Sequence, residues 1–172
     1  MRVWRCKLLK VQVVNLEAKN ILMGVVSFLS FKIPESWRVF PIGVVEVESS
    51  RIIKGRKWAM NGYIMIGLCS DEGKEVLMEV KTSEPIRSFN LEKWMEKMKN
   101  VRSQGIIEVN GHKCGYKLRD IEKGLFRREK LVELKLCFFC DVTRRKIEIK
   151  LVGREEGDLS LFKNFLCDLS CH

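Results

Sequence analysis

The most legible part of this sequence is the alternation of apolar and polar positions between residues 27 and 82. "SFLSFKI" sets Phe and Leu against Ser, runs up to Pro34 and predicts a strand, with "PESW" as the turn after it. "GVVEVES" alternates in the same way, and "NGYIMIGLC" is apolar almost throughout, the pattern of a strand in the middle of a sheet. "SDEG" then predicts a turn and "KEVLMEVK" the returning partner. The preceding residues alternate poorly apart from "KVQVV". Residues 1–26 are therefore read as an N-terminal strand or arm, and residues 27–172 as a single domain.

The period changes after residue 90. Asn90 stands where a helix N-cap belongs, and Leu91, Trp94, Met95, Met98 and Val101 follow at helical spacing, predicting a helix over 91–102 with Trp94 in its core-facing stripe. In "GIIEVNGHKCGYKL", Asn110-Gly111 lies between two strand-like runs and supplies the positive φ angles of a tight hairpin. "KLVELKLCFFC" and "KIEIKLV" flank "DVTRR" as another antiparallel pair, each alternating so that one face is buried. Asp158 caps a last predicted helix over 158–169, whose apolar side comprises Leu159, Phe162, Phe165, Leu166 and Leu169. The order strands, helix, strands, helix gives an α+β fold, a mainly antiparallel sheet of about six to seven strands with two helices packed on it.

Composition agrees with one globular core. Hydrophobic residues at 46% and charged residues at 31% exclude a disordered or fibrous chain. A fold of 172 residues hides roughly 70% of the surface of the unfolded chain, so neither metal nor disulfide is required merely to fold. The longest apolar run, residues 21–31, falls short of the about 20 residues that span a bilayer, and no small-residue cleavage site follows the basic N-terminus. No membrane span and an intracellular, cytoplasmic location are expected.

Charge changes the picture more. The net +10 is concentrated early, because residues 1–60 hold eleven Lys and Arg against four Glu. Its densest part is "RIIKGRK". Arg51, Lys54, Arg56 and Lys57, with neighbouring Trp58, are the expected contact surface for an acidic protein partner, or alternatively for a nucleic-acid backbone. A solvated basic loop is the plainer reading of the same residues.

Catalytic chemistry finds little support. "GxxxxGK" is absent, so nucleotide binding by a P-loop is not expected. A nucleophile needs a histidine to take its proton, and the chain has only His112, in the predicted hairpin, and His172. A thiol-dependent enzyme built on Cys114 and His112 is the second alternative. No cofactor and no catalytic residue are assigned.

Four of the seven cysteines and His172 fall within the last thirty-six residues. A zinc site from Cys137, Cys140, Cys167 and Cys171 requires neighbouring sulfurs to converge, yet strand alternation sends Cys137 and Cys140 to opposite faces and helical spacing turns Cys167 and Cys171 away from the core. No metal ligands are assigned on that ground. A disulfide between Cys140 and Cys171 is the sharper candidate, if the last helix ends beside the strand carrying Cys140. Free thiols remain the simplest state.

"FKIPESW", the meander, the single helix, the "VNGH" hairpin, the long antiparallel pair and the terminal amphipathic helix together resemble the PsbP-like fold, that of the photosystem II extrinsic protein and of a Ran-binding nuclear import factor. The resemblance implies an α/β/α sandwich and a non-enzymatic binding or accessory domain. It transfers no functional residue.

Overall fold

The computed structural model describes residues 10–42, 46–83, 86–97, 100–123, 129–154 and 168–172. Among the described residues, ten strands and one short helix follow one another as β1 (Val11–Asn20), β2 (Gly24–Pro34), β3 (Trp37–Pro41), β4 (Glu46–Ile53), β5 (Arg56–Ser70), β6 (Glu75–Thr82), α1 (Leu91–Glu96), β7 (Ser103–Val109), β8 (His112–Lys123), β9 (Glu129–Cys140) and β10 (Arg145–Gly153). All ten strands belong to one sheet, ordered β1-β2-β5-β6-β10-β9-β8-β7, with β3 and β4 also paired to β5. Neighbours are antiparallel except β2 and β5, which meet in parallel at Ser27 and Trp58.

This architecture overturns the expected α+β class. The chain is nearly all β among the described residues, so it is neither a sheet with two packed helices nor the α/β/α sandwich that the PsbP-like resemblance implied. The reason is local. Asn90 does cap a helix, accepting from the backbone N–H of Lys93 at 2.8 Å, but the helix ends at Glu96, and Asn100 takes a left-handed φ of 58° before β7 begins. Six residues make too short a helix to stand alone. It is held by seating Leu91, Trp94 and Met95 over Gly115 of β8, where a Cβ would fall 2.9 Å from the Leu91 and Met95 side chains. Trp94 is only partly buried, not a core residue as its spacing suggested. Of the second expected helix, residues 158–167 lie outside the described residues, while Asp168 and Leu169 are not helical.

Strand β5 organises the rest. Its first half pairs with β4, its second half with β3 on one edge, and residues 62–69 pair with β6 on the other. Gly62, in the middle, accepts what no other residue would: a Cβ there would stand 2.5 Å from the Glu46 carbonyl oxygen and 3.1 Å from the Phe28 ring. The core is one cluster, drawn from Phe28, Leu29 and Phe31 of β2, Ile64 and Leu68 of β5, Met78 and Val80 of β6, Leu134, Leu136 and Phe138 of β9 and Ile147, Ile149 and Leu151 of β10. Leu16 and Ala18 of β1 join it, which ties the first strand to the body of the sheet. No helix among the described residues is long and apolar enough to cross a membrane.

Candidate metal centre

The hairpin between β7 and β8 turns at Asn110 (φ 49°) and Gly111 (φ 77°), which delivers His112 as the first residue of β8. In the antiparallel β8–β9 register Cys114 faces Phe138, and extending that register by two residues sets His112 across from Cys140, the last residue of β9. Cys140 in turn pairs with Arg145, the first residue of β10. His112, Cys140 and Arg145 thus form one row at the end of three adjacent strands.

Residues 168–172 close over that row. Ser170 bridges to Ser30 of β2 through two backbone hydrogen bonds of 2.9 and 2.7 Å, and Leu169 is buried in the core. This anchoring turns Cys171 and His172 back onto the strand ends. The Cys171 sulfur lies 3.4 Å from Nε2 of His112 and 3.3 Å from Nδ1 of His172, and the Cys140 sulfur 3.4 Å from the same Nδ1. One ligand atom from each of His112, Cys140, Cys171 and His172 lies within 4.8 Å of all the others. In a tetrahedral zinc site with Zn–S of about 2.3 Å and Zn–N of about 2.0–2.1 Å, the sulfur–nitrogen edge is roughly 3.5 Å. The three sulfur–nitrogen edges given above fall within a tenth or two of an ångström of that value, by that estimate, and the remaining edges lie within 4.8 Å.

The surroundings suit ligation. Asp141 places a carboxylate oxygen 3.4 Å from Nδ1 of His112, which leaves Nε2 free to point at the thiols. Phe138 stacks on the His112 ring with centroids 5.8 Å apart and fixes its plane. The backbone N–H of Thr143 is directed at the Cys140 sulfur, 3.5 Å away. Both cysteines are fully buried and His112 is 9% exposed, so bulk water is excluded from most of the cluster.

A buried cation stands beside the cluster. The Arg145 side chain is 0% exposed. Its guanidinium donates to Thr143 Oγ1 and to the carbonyl oxygens of Ala59, Phe28 and Cys171, and it packs over the Trp58 ring. Burial pulls its pKa down to about 10, against the thiols of Cys171 and Cys140, which favour its charged form. A buried cation needs a compensating anion nearby. The Cys140 thiol supplies one: a hydrogen bond from Cys171 lowers its pKa to about 4 against the cost of burial, with the Thr143 hydroxyl and N–H helping. Cys171 is pushed up, first by sharing its proton with Cys140 and then by burial. Cys140 is thus the more acidic of the two thiols.

The other sequence candidates are dispersed. Cys137 is on the opposite side of β9 from Cys140, across from Glu148, and Cys167 lies outside the described residues, so the zinc set weighed from sequence is not assembled. Cys140 and Cys171 do meet, as the proposed disulfide requires, but as free thiols with His172 against both sulfurs. Cys114 is buried and its thiol is raised to about 12 by desolvation, while Nε2 of His112 is turned to Cys171, so the Cys114/His112 pair lacks the activated thiolate a thiol enzyme needs.

The basic segment proves to be a β-hairpin, turning at Lys54 (φ 52°) and Gly55 (φ 76°) between β4 and β5. Arg51 and Lys54 are exposed. Arg56 is engaged by Glu17 at 2.7 Å and by the Ser27 hydroxyl, and Lys57 donates to the Met23 carbonyl oxygen. Trp58 is 2% exposed between Arg56 and Arg145, which corrects its assignment to a contact surface: it is a core residue. Sequence reasoning missed His112 and His172 as candidate ligands because it sought partners close in sequence. The usable signal was the Asn-Gly turn, which fixes His112 at the start of a strand.

No family model and no curated protein matches the chain. A crystal structure from Bacteroides thetaiotaomicron VPI-5482 is similar to it, with a TM-score of 0.53 at 9% sequence identity over 84% of this chain and 45% of the other. At that identity the likeness concerns the fold alone, and the chain spans less than half the length of that protein.

Proposed function

We propose that this chain is a non-enzymatic β-sheet scaffold stapled by a structural Zn²⁺ ion held by His112, Cys140, Cys171 and His172. The observation that carries the reading is the convergence of four ligand atoms, from three separate segments, within 4.8 Å. Two thiolates and two imidazoles are a common structural zinc set, and four protein ligands leave no coordination position for substrate. The ion ties residues 168–172 to the ends of β8 and β9.

Metal analysis of protein purified without chelators tests this. The expected content is one zinc per chain, and Co²⁺ substitution is expected to give the intense visible bands of a tetrahedral thiolate site. Chelation is expected to lower the melting temperature by about 10 °C, since ligand at a thousandfold excess over Kd stabilises by about 4 kcal/mol. Metal-free protein with a Cys140–Cys171 disulfide in unreduced peptides would replace this reading with the covalent one.

A second reading concerns partners. The tip of the β4–β5 hairpin presents Arg51 and Lys54 beside Ile52, which is 66% exposed, a combination that suits an acidic protein surface with an apolar centre. Charge reversal at Arg51 and Lys54 is expected to abolish capture of such a partner while leaving zinc content unchanged.

A further inference from the structure

Outside the metal centre, the least expected feature is a row of like charges. Lys117 of β8 pairs with Lys135 of β9, and Lys135 pairs with Lys150 of β10, so three lysines stand directly across from one another on adjacent strands. Like charges in that arrangement are destabilising. They lie on the face of the sheet opposite Leu134, Leu136 and Ile149, and form the floor of a half-open cavity of 630 Å³ under α1. Lys93 of α1 and Lys97, its C-cap, stand at its rim. In all, six lysines and two glutamates line it.

Both glutamates are already engaged. Glu79 holds Lys150 at 2.7 Å, while Glu148 takes Lys146 at 3.3 Å and the Trp94 indole N–H at 3.1 Å. Lys135 reaches Glu133 only at 3.7 Å, and that carboxylate is bound more closely by Arg119 at 2.6 Å. Lys117 has no carboxylate in ion-pair contact among the described residues. Its ammonium donates to the Trp94 carbonyl oxygen at 2.6 Å and lies over the Trp94 ring, and the residue is 1% exposed. A solvated lysine face would not bury one of its members. Desolvation, and then Lys135, push the Lys117 pKa down, as expected of a cation lacking its counter-charge.

We propose that this cavity is a binding site for an oligophosphate of nucleotide size, with Lys117, Lys135 and Lys150 on its floor and Lys93 of α1 and its C-cap Lys97 at its rim. Lysine is a point-charge ligand for phosphate, and the cavity has the volume of a small-molecule site rather than the length of a nucleic-acid track. Several negative charges, not one, are needed to offset the uncompensated lysines.

Isothermal titration of the full-length, metal-replete chain with sodium tripolyphosphate, ATP, inorganic phosphate and a single-stranded RNA oligomer tests the site. Tripolyphosphate and ATP are expected to bind, with inorganic phosphate at least tenfold weaker. Tighter binding of ATP than of tripolyphosphate would assign the nucleotide as the source, and equal binding the bare phosphate chain. Lys135→Gln, at a partly exposed position that tolerates substitution, is expected to weaken both at least tenfold with an unchanged melting temperature. Lys117→Met is expected to weaken both as well, and Arg51→Gln with Lys54→Gln to leave tripolyphosphate binding unchanged. Absence of tripolyphosphate binding, indifference of binding to Lys135→Gln, or binding of RNA alone would overturn the proposal. Zinc content, measured on the same samples, reads the metal centre separately.

Discussion

Asp141 and His112 are joined at 3.4 Å through Nδ1, and that contact decides which nitrogen of the ring faces Cys171. A carboxylate behind a ligating imidazole fixes its tautomer and raises its basicity, and removing it typically costs 10- to 100-fold in metal affinity. Asp141→Asn is therefore expected to weaken Zn²⁺ binding by about that factor, measured by competition with a chromophoric chelator. Because the Asp141 side chain is 77% exposed, the metal-loaded fold should remain intact. Unchanged affinity would show that the ring is oriented by Phe138 alone.

Arg145 links four parts of the chain through Thr143, Ala59, Phe28 and Cys171. Arg145→Met keeps much of the volume but strands three buried carbonyl oxygens. The expected loss is about 3–5 kcal/mol in urea denaturation, since each unsatisfied buried acceptor costs about 1–3 kcal/mol and part is regained by relaxation. A loss below about 1 kcal/mol would mean that water replaces the guanidinium.

The Cys137 thiol is fully buried, and burial, followed by the negative charge of Glu148, raises its pKa. With the folded value above the unfolded value of about 8.5, the stability this group contributes is complete below pH 8.5 and is lost as pH rises, because only the unfolded chain ionises there. Between about pH 9 and 10 the slope approaches 1.4 kcal/mol per pH unit for this one group. Cys137→Ala is expected to flatten the fall in stability over that range by roughly this amount, read from denaturation curves at stepped pH.

At Gly62 the backbone of β4 lies close against β5. A Cβ would stand 2.5 Å from a carbonyl oxygen, which is backbone and cannot step aside as a side chain would. Gly62→Ala is expected to destabilise by about 1–3 kcal/mol, the usual cost of overpacking. Gly73→Ala, at a turn with open space but φ of 79°, gives a comparison in which only conformational strain acts.

Several strands were legible because a half-buried strand must alternate: "SFLSFKI", "KEVLMEVK" and "KIEIKLV" fall within β2, β6 and β10, or within a residue of them. The Asn110-Gly111 hairpin was legible because few residue pairs accept two positive φ angles. Strand β3 was not, since "WRVFP" is short and follows a turn, and its place is set by pairing with β5. The class of the fold was misjudged because helical spacing over Leu91, Trp94 and Met95 describes which side chains meet a surface and says nothing of how many turns the chain completes before a left-handed Asn100 ends them.

The sequence by itself determined the strand faces, the tight turns and the basic balance, all of which depend on neighbours a few residues apart. Only the tertiary structure decided the two candidate sites. His112, Cys140 and Cys171 are separated by tens of residues, and they meet because the β8–β9 register and the Ser30–Ser170 bridge bring them together. The same register lines up Lys117, Lys135 and Lys150, which in the sequence are three ordinary surface lysines. Cross-strand register is fixed by the packing of the whole buried face, so what it places side by side is not written in any local stretch of the chain.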